Sequence, residues 1–174
     1  ACGYSERLRL DLVLNDFVAS AVSSGKIDIL SDGMPWRPLI YVKDMAKAIN
    51  WASQRSLSKG GAHLIVNTGY NNWNYRIFEL GDLIKTYLPN VKVEVAKKAQ
   101  NDDRSYRVNF QLFDELTKKD FYGSNIKDVI IELYKGLRVI NFDDDNFRNS
   151  SLCRLVKVQS MRDNKSMNNK LMWN

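Results

Sequence analysis

The stretch Asp32-Gly33-Met34-Pro35-Trp36-Arg37-Pro38-Leu39-Ile40-Tyr41-Val42-Lys43-Asp44-Met45-Ala46 decides how the rest of the chain is read. Ser31 to Pro35 is a turn by composition: glycine accepts a positive φ, aspartate bonds its own backbone, and proline stops regular structure. Pro38-Leu39-Ile40-Tyr41-Val42 then reads as a short strand, and Asp44 is expected to cap the helix that follows. In that helix Met45, Ala48, Ile49 and Ala52 share one face, and the pair Gly60-Gly61 ends it.

Working outward, Val13, Leu14, Phe17, Val18, Ala21 and Val22 recur at three- and four-residue intervals, which predicts a helix over 11–22 ended by Ser23-Ser24-Gly25. Ile27-Asp28-Ile29-Leu30 alternates as a strand. Downstream, His63-Leu64-Ile65-Val66-Asn67 is an apolar run of the kind that forms a strand buried on both faces. Asn74 is expected to cap a helix buried through Ile77, Leu80, Ile84 and Leu88 and closed by Pro89, after which Val91, Val93 and Val95 alternate as a strand. A further strand is expected at 105–109. Ser124 is expected to cap the most regular helix, with Ile126, Val129, Ile130, Leu133 and Leu137 on one stripe. After Asp143-Asp144-Asp145 a last helix is expected through Leu152, Leu155, Val156 and Gln159, running into a polar tail. Strand and helix alternate over 10–137, so the class is α/β, with too few long strands for a complete doubly wound sheet.

At 174 residues, 44% apolar and 11% aromatic, the chain has the composition of a folded domain. No apolar run approaches the roughly 20 residues needed to span a bilayer, and the first seven residues do not resemble a secretion signal, so a cytoplasmic protein is expected. The first residue is Ala, not Met, and the hydrophobic pattern begins at once. The chain is therefore expected to start inside a larger protein. Cys2, Cys153 and the single His63 offer no metal-binding or disulfide spacing, and both cysteines are expected as free thiols. The net charge of +6 comes largely from mixed surface charge, with one basic stretch from Arg148 to Lys170. Trp36, Trp51, Trp73 and the tyrosines lack the interleaving with Lys and Arg that single-strand binders use, so nucleic acid is not the expected partner.

The 32–46 segment resembles the extended short-chain dehydrogenase/reductase family, the NAD-dependent nucleotide-sugar epimerases and dehydratases, in which an Asp-Gly turn, an Arg, a short apolar strand and a Val-x-Asp helix start occur in this order. The stretch Arg9-Leu10-Asp11-Leu12-Val13-Leu14-Asn15-Asp16-Phe17-Val18 is similar to the helix that lines that family's nucleotide-sugar pocket. Ile65-Val66-Asn67-Thr68-Gly69 looks like its late strand, and Asp103-Arg104-Ser105-Tyr106-Arg107-Val108-Asn109 resembles its arginine-containing segment. The resemblance covers residues 1–140. It implies the C-terminal part of a Rossmann-like epimerase/dehydratase fold with its small substrate-binding subdomain, followed by a helical extension with a polar tail over 141–174.

The resemblance also implies site residues. Arg37, beside the backbone fixed by Pro38, would meet a diphosphate with two charge-assisted bonds. Arg104 would close the substrate from the other side, with Arg107 in competition for that role. Strand alternation puts Arg104 and Tyr106 on one face and Ser105 and Arg107 on the other. A surface ion pair of Arg104 with Asp102 or Asp103 is the plainer alternative. Asn15 would offer its amide to a sugar or phosphate oxygen, and Leu30 would sit against the nucleotide base or, more simply, in the core.

The family's catalytic parts are missing from these residues. The nine glycines never fall in a Gly-x-x-Gly-x-x-Gly or Gly-x-Gly-x-x-Gly spacing, so the turn that cradles the NAD pyrophosphate is absent. None of the eight tyrosines has a lysine four residues later. Only Tyr134 has a cation there, Arg138, and it lies in the wrong part of the chain. No catalytic, cofactor-binding or metal-binding residue is assigned, and the chain alone is expected to be inactive. The expected partners are a nucleotide-diphosphate sugar and an N-terminal NAD-binding part, with a homodimer of the complete isomerase or lyase. The alternative is a non-catalytic binding or interaction module derived from the family.

Overall fold

The computed structural model describes residues 1–95, 104–118, 121 and 123–173. The first helix, α1, spans Val13–Ser24, two residues later than its periodicity suggests, and ends at Gly25 in the left-handed region (φ 68°). Glycine is favoured there because a Cβ crowds the backbone at positive φ. Strand β1 (Lys26–Ile29) follows. It pairs in parallel with β4 (Lys92–Val95), Lys26 opposite Lys92 and Ile29 opposite Val95. Between them, β2 (Trp36–Pro38) pairs antiparallel with β3 (Asn74–Arg76), Arg37 opposite Tyr75.

The remaining helices are α2 (Val42–Gln54), α3 (Ile77–Tyr87), α4 (Gln111–Thr117), α5 (Ile126–Val139) and α6 (Arg154–Asp163). Helices α1, α3 and α5 bury the stripes read from their spacing: Leu14 and Val18 of α1 and Leu80 and Ile84 of α3 pack with β1, and Ile130, Leu133 and Leu137 of α5 join the same core from the side of α1 and α3. Gly136 lies within α5 where a Cβ would come 2.3 Å from the Tyr4 ring, so its lack of a side chain lets residue 4 pack on the helix. Phe147, 1% exposed, enters the same core beyond α5. Arg148 then grips Asp16 of α1 with two bonds of 2.7 Å and Ser20 with one of 3.0 Å. Both cysteines are free and buried, and burial pushes the Cys2 thiol up to about 12.

Several expectations are corrected. The run 63–67 forms no strand: Leu64 and Val66 turn toward a small cluster of Ala48, Trp51 and Phe113, while Ile65 is 83% exposed. An apolar run becomes a strand only where a neighbour supplies ladder partners. Residues 105–109 are also not a strand, for they are held by side chains. Asn74 accepts from Val108 N–H (2.8 Å) and donates to its carbonyl (3.0 Å), and Asn71 accepts from Phe110 N–H (2.9 Å).

The three expected caps also move. Asn74 lies in β3, and α3 starts from Arg76, whose N–H is taken by Glu79 at 2.7 Å. Asn125, rather than Ser124, caps α5. Asp44 is the third residue of α2, in its first turn, and is fully buried. The strand expected over 38–42 is shifted to β2, and Tyr41 makes a single parallel bridge to Cys2. Helix α6 buries no residue, and Leu155 is 79% exposed. Asp102 and Asp103, the alternative partners of Arg104, lie outside the described residues.

Candidate functional site

A cleft of about 440 Å³ opens where the start of α1, the end of β1, β2 and the 104–106 segment converge. Leu30, Arg37 and Arg104 all line it. Leu30 is 55% exposed at the β1 exit, which excludes the simple core role. Arg37 is half-buried on β2, where pairing with Tyr75 and the flanking Pro38 fix its backbone. Its Nη1 donates to the carbonyls of Trp36, at 2.8 Å, and of Arg104, and its guanidinium carbon lies 6.0 Å from the Tyr106 ring centroid. One arginine therefore braces the backbone that carries the other.

The alternation read for 104–107 holds without a strand. Arg104 and Tyr106 face the cleft, while Ser105 accepts from Trp36 N–H at 3.1 Å and Arg107 stacks 4.6 Å from the Trp36 ring centroid. Arg107 is thereby committed to Trp36. Tyr106 escaped notice as a site residue, although its place beside Arg104 was legible in the two-residue period.

Asn15 is corrected. It is 3% exposed and does not line the cleft. Its Oδ1 accepts from Gly3 N–H at 2.9 Å and its Nδ2 donates to the Arg9 carbonyl at 2.9 Å, so the amide fastens the 3–9 loop to α1. What α1 does bring to the cleft is its first turn, Leu12 to Leu14, which carries no side-chain cap. Uncapped N–H groups and the positive end of the helix dipole favour an anion there.

Three carboxylates also line the cleft, and each is held by a cation. Arg9 reaches Asp11 at 3.0 and 2.6 Å, Arg148 takes Asp16, and Lys26 meets Asp28 at 2.7 Å. The Arg9 guanidinium holds the Asp11 carboxyl below its ordinary range. These groups shape the cleft and are engaged in ion pairs. Arg37, Arg104 and the helix start give it an anion-attracting side, and Leu30 and Tyr106 an apolar one.

Among the described residues no glycine-rich turn joins a strand to a helix: β3 passes directly into α3, and β1 leads through 30–35 to β2. Tyr41 shares Glu132 with Lys43, but burial and then that carboxylate raise its pKa, opposite to what a tyrosine base requires. No group of three or more His, Cys, Asp or Glu side chains among the described residues could hold a metal ion, and no described helix is long and apolar enough to cross a membrane.

The pattern of the NAD dependent epimerase/dehydratase family matches residues 3–69, the stretch that builds α1, β1, β2 and α2. Over these residues the chain is similar to that family. Its fold matches an NAD-dependent NDP-hexosamine 5,6-dehydratase involved in tunicamycin biosynthesis (TM-score 0.61, 14% identity, 79% of this chain and 42% of that one). It also matches a dTDP-glucose 4,6-dehydratase from Bacillus anthracis in complex with NAD (0.57, 17%, 89% and 46%). A third match is a GDP-L-fucose synthetase from Naegleria fowleri (0.54, 16%, 72% and 38%). At these identities the likeness establishes the fold, a Rossmann-like epimerase/dehydratase architecture with a parallel strand pair. The chain spans less than half the length of each of these structures.

Proposed function

We propose that the chain is the nucleotide-sugar-binding side of an NAD-dependent epimerase or dehydratase. The observation that supports this most is the meeting of Leu30, Arg37 and Arg104 on one cleft beside the uncapped start of α1. In this reading Arg37 and Arg104 bind the diphosphate together with the helix start, and Leu30 and Tyr106 pack the nucleoside. The carboxylates of Asp11, Asp16 and Asp28 hold their cations and set the shape around the sugar.

Hydride transfer to and from a sugar carbon, and the epimerisation or loss of water that follows, belong to an NAD-binding part outside these residues. A cytoplasmic location and a homodimer of the complete enzyme complete the proposal.

Calorimetric titration of the 174-residue chain with UDP-glucose, dTDP-glucose and NAD tests it. The expected result is binding of at least one nucleotide sugar, weakened tenfold or more by Arg37→Ala, and no binding of NAD. Unchanged affinity in a folded Arg37→Ala variant overturns the cleft assignment. Tight binding of NAD overturns the division of labour.

A further inference from the structure

We infer a second anion-binding site, separate from the cleft, in a groove along the outer side of α2 that takes a small polyphosphate such as pyrophosphate or a nucleotide's phosphate chain. The groove encloses about 710 Å³, larger than the cleft and within the range of small-molecule pockets. Lys43 and Lys47 of α2 and Arg55 and Lys59 of the following loop line it, and no carboxylate does so among the described residues.

The helix face itself is polar for three turns. Lys43, Lys47, Asn50 and Gln54 follow one another at four- and three-residue steps, which puts them on one side of α2, next to the buried side formed by Asp44, Ala48 and Trp51. Lys47 pairs with Asp44 and Lys43 with Glu132, each at 2.8 Å. Arg55 is different. Its Nη1 donates to the carbonyls of Lys59 (3.0 Å) and Gly61 (2.7 Å), neutral acceptors that leave the guanidinium its full charge while they fix the 55–61 loop. A multiply charged anion gains from such a set because the loop is already shaped before it arrives.

A buried donor lies in the wall of the groove. Trp51 lines it, is 8% exposed, and its indole N–H is buried with no hydrogen-bond partner among the described residues. Buried donors without acceptors are rare because leaving one unpaired is costly, so this N–H is sensitive to any rearrangement of the groove wall when an anion binds.

Nucleic acid fits less well. Stacking of bases needs exposed ring faces. Trp51 instead meets Phe113 edge-on with centroids 5.6 Å apart, and the four cations gather round one concavity rather than along a track.

The inference does not depend on the function of the cleft. Its test is a titration of the isotopically labelled chain with pyrophosphate, following the indole N–H signal of Trp51, assigned by its loss in Trp51→Phe. The signal is expected to shift on saturation, and Lys43→Gln with Lys59→Gln is expected to weaken the groove isotherm at least tenfold. Lys43→Arg with Lys59→Arg should retain it, and Arg37→Ala should leave it unaltered. The proposal is overturned if the Trp51 signal stays fixed, if the double glutamine variant binds pyrophosphate as the parent does, or if only Arg37→Ala abolishes binding. It is also overturned if single-stranded RNA occupies the groove with affinity that rises with oligomer length and displaces pyrophosphate.

Discussion

Ser124 donates twice to Asp44 across 80 residues of sequence, from its backbone N–H at 2.9 Å and from its hydroxyl at 3.1 Å. Tyr70 Oη and Lys47 Nζ each donate to the same carboxylate at 2.8 Å. One wholly buried charge thus joins α2, the 70-loop and the approach to α5.

Asp44→Asn should cost about 3 kcal/mol, because a buried amide nitrogen would face the Ser124 and Tyr70 donors, and the exposed Lys47 ammonium would lose its counter-charge. Urea unfolding followed by circular dichroism measures it. The same variant tests a pH effect. Burial acts to raise the Asp44 pKa, yet the bonds from Lys47, Ser124 and Tyr70 prevail and hold it below the usual carboxylate range. The unfolded carboxyl titrates near about 3.9, so below that pH the unfolded chain binds more protons than the native one. Stability should be complete above about pH 4 and fall as the pH drops through the native value. Asp11 and Glu132 are also lowered and act with the same sign, so Asp44→Asn should flatten this acid arm without abolishing it.

Arg148→Ala should destabilise the chain by about 2 kcal/mol, since two charge-assisted bonds to a half-buried Asp16 are lost together with the bond to Ser20. Arg148→Lys should recover less than half, because an ammonium cannot present the parallel fork. Equal stability of all three proteins would show that residues beyond α5 are held by Phe147 alone.

Gly136→Ala isolates the contact between Tyr4 and α5. Alanine favours a helix by about 1 kcal/mol, but its Cβ would press into the Tyr4 ring, at a cost of about 1–3 kcal/mol. Net destabilisation is expected in the parent chain and net stabilisation in a Tyr4→Ala background. A double-mutant cycle by thermal unfolding reads the difference.

In α3 and α5 the sequence was a sufficient guide: Ile130, Leu133 and Leu137 and Leu80 and Ile84 are core residues as their spacing requires, whereas in α2 the buried side is Asp44, Ala48 and Trp51 and Ile49, expected beside Ala48, is 67% exposed. The failures share one cause. Asp44 looks like a cap because its nearest helix start is two residues away, whereas three of its partners' atoms come from Tyr70 and Ser124, which no local pattern reveals. Residues 63–67 have strand composition without a paired neighbour, and 105–109 have strand alternation with side chains in place of a ladder. Arg37 and Arg104, singled out by motif order, both line the cleft. Asn15 was misjudged because its polar position on α1 says nothing about the 3–9 loop that folds over it.

The attachment of the 104–108 wall has a consequence for how such a cleft can diversify. It is sewn to the small antiparallel pair by the carboxamide of Asn74 and the hydroxyl of Ser105, with the Arg37 guanidinium as a third stitch. Three side-chain anchors can be exchanged one at a time without disturbing any strand register, so the aperture offered to a ligand is adjustable by point changes while the scaffold beneath stays as it is.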